Sequence, residues 1–175
     1  PTLEKSILEL ISKIENNQFC YPELINNLRN HFISFSLSRK EIDDFEKDKR
    51  WGELYHKAAS KFRDYNENDG EAGELLLYCF LESHLKAPKI LTKLEIKLSS
   101  QDYAKGSDGI HLLEISPKKY QLIFGESKLD GVLTTSISNA FKSIHEFIHR
   151  SKNNISDEIG LINSQLFKEA FDDDL

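Results

Sequence analysis

Between Asp108 and Lys128 the chain carries two strand-like stretches, Asp108 to Ser116 and Tyr120 to Lys128, back to back around Pro117, Lys118 and Lys119. Two alternating runs joined by a short polar turn mark an antiparallel hairpin, and a hairpin dictates which residues share a face. With a three-residue turn, Ser116 pairs with Tyr120, Ile110 lies opposite Glu126, and Asp108 lies opposite Lys128. Directly opposed residues point to the same side. Asp108, Glu126 and Lys128 are then expected together at one end of one face, with Leu112, Leu122 and Phe124 toward the turn. A slip of one residue would send Asp108 to the other side.

The flanking patterns extend this into a fold. Glu71 to Lys86 reads as an apolar helix closed by Pro88. Lys89 to Leu98 alternates Ile90, Thr92, Leu94, Ile96 and Leu98 against Lys93, Glu95 and Lys97, the period of a half-buried strand. Ser99 to Ser107 is a polar loop, a long helix is expected from about Thr134 to Arg150, and Ile159 to Ile162 suits a short last strand. Upstream, Leu3, Ile7, Leu8, Leu10, Ile11 and Ile14 recur at helical spacing, as do Leu24, Ile25, Leu28 and Phe32, then Leu54, Tyr55, Ala58, Ala59 and Phe62. The charged run Arg39 to Arg50 reads as a solvated face, and Tyr65 to Gly70 as a loop. The expected fold class is α/β with a mixed sheet, in the order helix, three strands, helix, strand. One domain is expected over 1–175: a helical N-terminal portion at 1–68, the core at 69–163, and an acidic tail at 164–175 that includes Asp172 to Asp174.

A chain of 175 residues is long enough for one domain to bury roughly 70% of its unfolded surface. Its longest apolar run, Leu75 to Leu81, has seven residues, against the about 20 a membrane helix needs. No membrane association is expected. The opening residues do not read as a signal segment, and two cysteines cannot build a disulfide framework, so the expected compartment is the reducing cytoplasm. The net charge of −6 speaks against a nonspecific nucleic-acid coat. Its distribution changes that inference: Lys86 to Lys128 carries +3 and the remainder −9. The strand region can attract phosphate, while the acidic remainder suits restraint or a protein partner.

Two carboxylates and a lysine at the end of an apolar hairpin are costly to bury unless something pairs them. A divalent cation would do so, since oxygen ligands suit a hard ion that leaves positions open to water and phosphate. Lys128 could then orient an attacking water and stabilise charge on a phosphoryl oxygen. Glu74, directly after Gly73 in the first turn of the apolar helix, is either a favourable partner of the helix dipole or a further ligand.

The pattern Asp108, then Glu126-Ser127-Lys128, resembles the PD-(D/E)xK nuclease motif, which belongs to a restriction-endonuclease-like core of helix, three strands, helix and strand. A closer resemblance, to the HamA nuclease family, rests on several segments together. They are Gly73-Glu74-Leu75-Leu76-Leu77-Tyr78, Ala87-Pro88-Lys89-Ile90, Gly106-Ser107-Asp108-Gly109-Ile110-His111, Phe124-Gly125-Glu126-Ser127-Lys128, and Ser136-Ile137 through Ser143-Ile144. The likeness runs from about Ser36 to about Phe147, and family members continue further past the last strand, as for a shortened form or fragment. That family is the effector subunit of the bacterial Hachiman antiphage defence systems. The resemblance implies Mg²⁺-dependent hydrolysis of DNA, with Mn²⁺ as a substitute. It implies that Asp108, Glu126 and the Ser127 backbone carbonyl hold the metal, that Lys128 supports the attacking water, and that Glu74 is a fourth member. The implied partner is a HamB-like helicase that restrains and releases the nuclease. No activated Ser or Cys constellation accompanies the motif, so hydrolysis without a covalent intermediate is expected.

Two other readings compete. A nuclease-like fold can serve as an interaction module that is silent without its partner. Separately, His145-Glu146-Phe147-Ile148-His149 matches the zinc hydrolase signature, with Glu169 at a plausible separation for a third ligand. Against zinc, Ile137, Ala140, Phe141, Ile144 and Ile148 read as the buried stripe, which turns the motif mostly toward solvent. His111 reads as a structural histidine, Cys79 as core and Trp51 as packing.

Overall fold

The computed structural model describes residues 8–62, 70–96, 107–149, 159–160 and 162–163. The expected loop at Tyr65 to Gly70, most of Ser99 to Ser107, the acidic tail and Glu169 lie wholly or largely outside them.

Residues 8–13 are not helical, contrary to their apolar spacing. The cause is the pair Asn16 and Asn17, both at positive φ (51° and 60°). Asparagine tolerates this region, and two such residues form the tight turn whose twist matches a hairpin. They join β1 (Ile14–Glu15) to β2 (Gln18–Phe19), and Leu8, Leu10, Ile11 and Ile14 stay exposed.

α1 (Tyr21–Ser36) starts with proline in its first turn, where the missing N–H costs nothing, and buries Phe35. α2 (Arg39–Lys47) opens on a reciprocal capping box between Ser38 and Glu41. The charged run is thus a solvated face, as expected, with an inner edge: Ile42 and Phe45 pack on Leu37, Leu54 and Ala58. The last two of these belong to α3 (Trp51–Ser60). Trp51 is exposed rather than packed.

α4 (Glu71–Ser83) ends before the expected Lys86. Lys86 adopts φ 55°, and the Ala87 N–H turns back to the Leu81 carbonyl at 3.0 Å. β3 (Lys89–Thr92) is shorter than the expected strand to Leu98, because a turn begins at Lys93 in which the Glu95 N–H donates to the Thr92 carbonyl and hydroxyl (3.1 and 3.2 Å). Every β3 residue is buried, Lys89 included. The Lys89 ammonium donates to the carbonyls of Ser34 (2.8 Å) and Leu37 (2.7 Å) and meets Glu95 Oε2 at 3.0 Å. The Thr92 hydroxyl donates to the Phe35 carbonyl at 2.6 Å. A cation is favoured where helix carbonyls end, so these contacts dock the end of α1 onto β3.

β3 pairs with β4 (Gly109–Ser116), and β4 with β5 (Lys119–Gly125), all antiparallel in the order β3-β4-β5. Among the described residues the sheet is therefore antiparallel rather than mixed. The hairpin turn is two residues, not three: Ser116 pairs with Lys119, and Ile110 with Phe124. Proline holds Pro117 near φ −65° while Lys118 sits at φ 60°, the pattern of a type II turn. That turn splays the strands it joins, and a register shift between Glu114 and Ser116 absorbs the mismatch. Inward of it the register differs from the expected one by two residues. An even shift leaves each side chain on its expected face.

Gly125 lets α4 lie against the hairpin: an added Cβ would stand 2.9 Å from Leu77 Cδ2. α5 (Leu133–His149) follows near the expected limits, but its apolar stripe is not buried. Ile137, Phe141, Ile144 and Ile148 are exposed among the described residues, and Phe147 is the residue that meets the sheet, 5.5 Å from the Phe124 ring. Residues 159–160 and 162–163 are helical rather than a last strand. Ile162 is buried against Ile90, Leu91 and Ile110, capping the sheet's apolar surface instead of extending its edge. The protein is thus mixed α/β, and no described helix is long and apolar enough to cross a membrane.

Candidate functional site

Asp108 immediately precedes β4 and Glu126 to Lys128 immediately follow β5, so the hairpin brings its two open ends together. The Asp108 N–H donates to the Gly125 carbonyl at 2.9 Å. Its side chain is only 6% exposed. Oδ2 accepts the Ser127 N–H at 2.8 Å, and Oδ1 lies 3.2 Å from Lys93 Nζ. The carboxylate of Glu126 is paired with the Lys128 ammonium. Asp108, Ser127, Glu126 and Lys128 are thus gathered as the sequence predicts, but each acid carries its own lysine.

Glu74 is brought alongside by the helix it sits on. A Cβ on Gly73 would lie 3.1 Å from Ser127 Oγ and 3.4 Å from Leu129 Cβ, so the first turn of α4 abuts the Glu126–Lys128 segment closely. Glu74 is half-buried. It does not join Asp108 and Glu126 in a three-carboxylate cage, because no three His, Cys, Asp or Glu side chains among the described residues are grouped to hold a metal ion.

The donors nonetheless suit a hard divalent ion in kind. Asp108 is a buried carboxylate already balanced by a cation, and Glu126 and the Ser127 carbonyl offer further oxygens in the same segment. A metal would take the place of ammonium charge, not fill a pocket of uncompensated carboxylates.

Lys93 is the member the sequence reading missed. Alternation puts it on the polar side of the strand, with no signal of which residue it meets. The pairing of Thr92 with Gly109 determines that, and the Lys93 N–H then donates to the Asp108 carbonyl at 3.0 Å.

The remaining candidates fall outside this cluster. His111 is buried, its Nδ1 2.8 Å from the Ala87 carbonyl and its ring beside Tyr78. Burial holds its pKa below the ordinary value, as suits a neutral structural imidazole. Cys79 packs against the core of Phe35, Leu75, Tyr78 and Leu94. Burial, aided by Glu82, pushes its thiol up to about 11, which leaves it an unreactive thiol at neutral pH. His145 and His149 lie exposed on α5, their rings tilted with centroids 4.3 Å apart, with no third ligand grouped beside them among the described residues.

An antiparallel hairpin with an acid at one open end and Glu-Ser-Lys at the other, braced by a helix on glycine contacts, defines a mixed α/β protein with a lysine-balanced carboxylate site. The family model for HamA matches residues 2–175, essentially the whole chain. The chain belongs to the HamA family and is thereby a component of a Hachiman antiphage defence system. The match extends on both sides of the stretch, about Ser36 to Phe147, over which the likeness was read. No curated protein and no solved structure matches the chain.

Proposed function

We propose that the protein is a metal-dependent nuclease of PD-(D/E)xK type that hydrolyses DNA phosphodiester bonds and is controlled by a HamB-like helicase partner. The supporting observation is the meeting of Asp108 with the Glu126-Ser127-Lys128 segment at the open end of the hairpin, with Ser127 N–H on Asp108 Oδ2. Asp108, Glu126 and the Ser127 carbonyl would hold Mg²⁺, for which Mn²⁺ can substitute. Such an ion polarises a phosphoryl oxygen and acidifies a water when bound. Lys128, paired with Glu126, would orient the nucleophilic water and offset charge building on the phosphate. Glu74 tunes this end of the site through the first turn of α4.

The test is cleavage of plasmid, linear and single-stranded DNA by the chain with and without a helicase partner, in Mg²⁺ and in EDTA. Cleavage that stops in EDTA and in Glu126→Ala and Lys128→Ala is expected. Activity retained by both variants refutes the assignment. A second reading, an interaction module silent without its partner, draws on the same contacts, since both acids are neutralised by lysines. It predicts tight complex formation and no cleavage under any metal.

A further inference from the structure

We propose that Lys93 is the resident counter-ion of Asp108: its ammonium occupies the place a divalent cation takes, and metal entry displaces it toward substrate phosphate. This deepens the metal-dependent reading and rests on it.

Lys93 is held at Asp108 twice. Its backbone N–H donates to the Asp108 carbonyl at 3.0 Å and its ammonium meets Oδ1 at 3.2 Å. The turn that carries it is fastened on both sides, by Glu95 N–H on Thr92 and by the buried contact of Lys89 with Glu95. The pair is also sheltered, with 19% of the Lys93 side chain and 6% of the Asp108 side chain exposed. A buried carboxylate needs charge compensation as well as hydrogen bonds. Ser127 supplies a hydrogen bond and Lys93 supplies the charge.

Without metal, among the described residues, Asp108 and Glu126 are each balanced by one ammonium. An ammonium and a divalent ion compete for Oδ1, because two cations held at one carboxylate oxygen repel each other. Exchange of one ammonium for a divalent ion raises the charge at Asp108 by one and releases Lys93, whose flexible four-carbon stem can then follow the phosphate. The site becomes attractive to DNA only once loaded, so an unloaded protein of net charge −6 has little hold on nucleic acid.

The experiment is Mn²⁺ titration followed by electron paramagnetic resonance, with thermal melting in EDTA and in Mn²⁺, on wild type, Lys93→Met, Lys93→Arg and Asp108→Asn. Lys93→Met is expected to bind Mn²⁺ about fivefold tighter, to melt lower in EDTA and to gain more from Mn²⁺ than wild type does. Lys93→Arg, whose guanidinium grips a carboxylate more firmly, is expected to bind Mn²⁺ more weakly than wild type. If Lys93→Met does not fold, this arginine variant decides the matter. Equal Mn²⁺ affinity across the Lys93 series, with binding abolished in Asp108→Asn, overturns the role of Lys93 and leaves the metal site standing. Absence of binding in every protein, including Lys93→Met, overturns both.

Discussion

Replacing Lys89 by methionine is the sharpest test of how the sheet is anchored. The three ammonium protons are spent on the Ser34 carbonyl at 2.8 Å, the Leu37 carbonyl at 2.7 Å and Glu95 at 3.0 Å. The side chains of Lys89 and Glu95 are 2% and 5% exposed. Methionine keeps the length and volume of the stem, so the loss is electrostatic rather than steric. Removing one member of a buried ion pair costs about 3–5 kcal/mol, because the other charge stays behind. Glu95 retains interactions besides Lys89, which places the expectation near the lower limit, at about 3 kcal/mol. In urea, followed by far-ultraviolet circular dichroism, this moves the midpoint down by about 1–3 M for a slope of about 1–3 kcal/mol/M. Adding Glu95→Gln removes the stranded charge and is expected to restore about 1 kcal/mol or more. A loss under about 1 kcal/mol in Lys89→Met, or a double variant no more stable than the single one, would show that this network does not anchor β3.

Two smaller perturbations probe other joints. Gly125→Ala places a methyl 2.9 Å from Leu77 Cδ2 and 3.4 Å from the Gly109 carbonyl; the expected cost is about 1–3 kcal/mol, seen as a lower melting temperature, and an unchanged melt would mean that α4 does not approach the hairpin so closely. Glu41→Gln leaves the capping box an acceptor at the same position but removes the charge from the 2.7 Å contact with Lys57, for a loss of about 0.5–1 kcal/mol in urea titration. Burial alone raises the Glu41 pKa, but hydrogen bonds from Lys57 and Ser38 outweigh it and leave the carboxyl below the ordinary 4.5. Its contribution is therefore complete above pH 4.5 and lost as the pH falls through the lower folded value. The glutamine variant is expected to lose less stability than wild type over that acid range, and parallel acid titrations would contradict it.

The hairpin and its charges were legible because parity is local. Alternation over Asp108 to Ser116 and Tyr120 to Lys128 assigns faces without knowledge of anything distant. Turn length was misjudged, since Pro117 and Lys118 suffice to reverse the chain when the neighbouring strand bulges. The result survived because the register error was even. Lys93 was illegible for a different reason: the pairing of β3 with β4 spans a long intervening stretch, and nothing local says which lysine meets Asp108. The spacing of Leu8, Leu10, Ile11 and Ile14 suits a helix, but Asn16-Asn17 imposes a hairpin, a case where turn chemistry outranks periodicity. Buried Lys89 reversed the usual expectation for its residue type, and the carbonyls of Ser34 and Leu37 at the end of α1, together with Glu95, explain it. On α5 the apolar spacing of Ile137, Phe141, Ile144 and Ile148 indicated amphipathicity correctly but could not supply a covering partner.

The bulge at the hairpin tip gives the chain a tolerance in length. Glu114 pairs with Tyr120 and Ser116 with Lys119, which leaves half-exposed Ile115 as the extra residue between them. Deleting Ile115 would bring Ser116 into step behind Glu114 and leave every pair from Gly109 to Glu114 untouched. The same deletion inward of Glu114 would swap the faces of the segment leading to Asp108. Lineages carrying this hairpin can therefore lengthen or shorten it by one residue at the tip, while the end bearing Asp108 and Glu126 admits no such change.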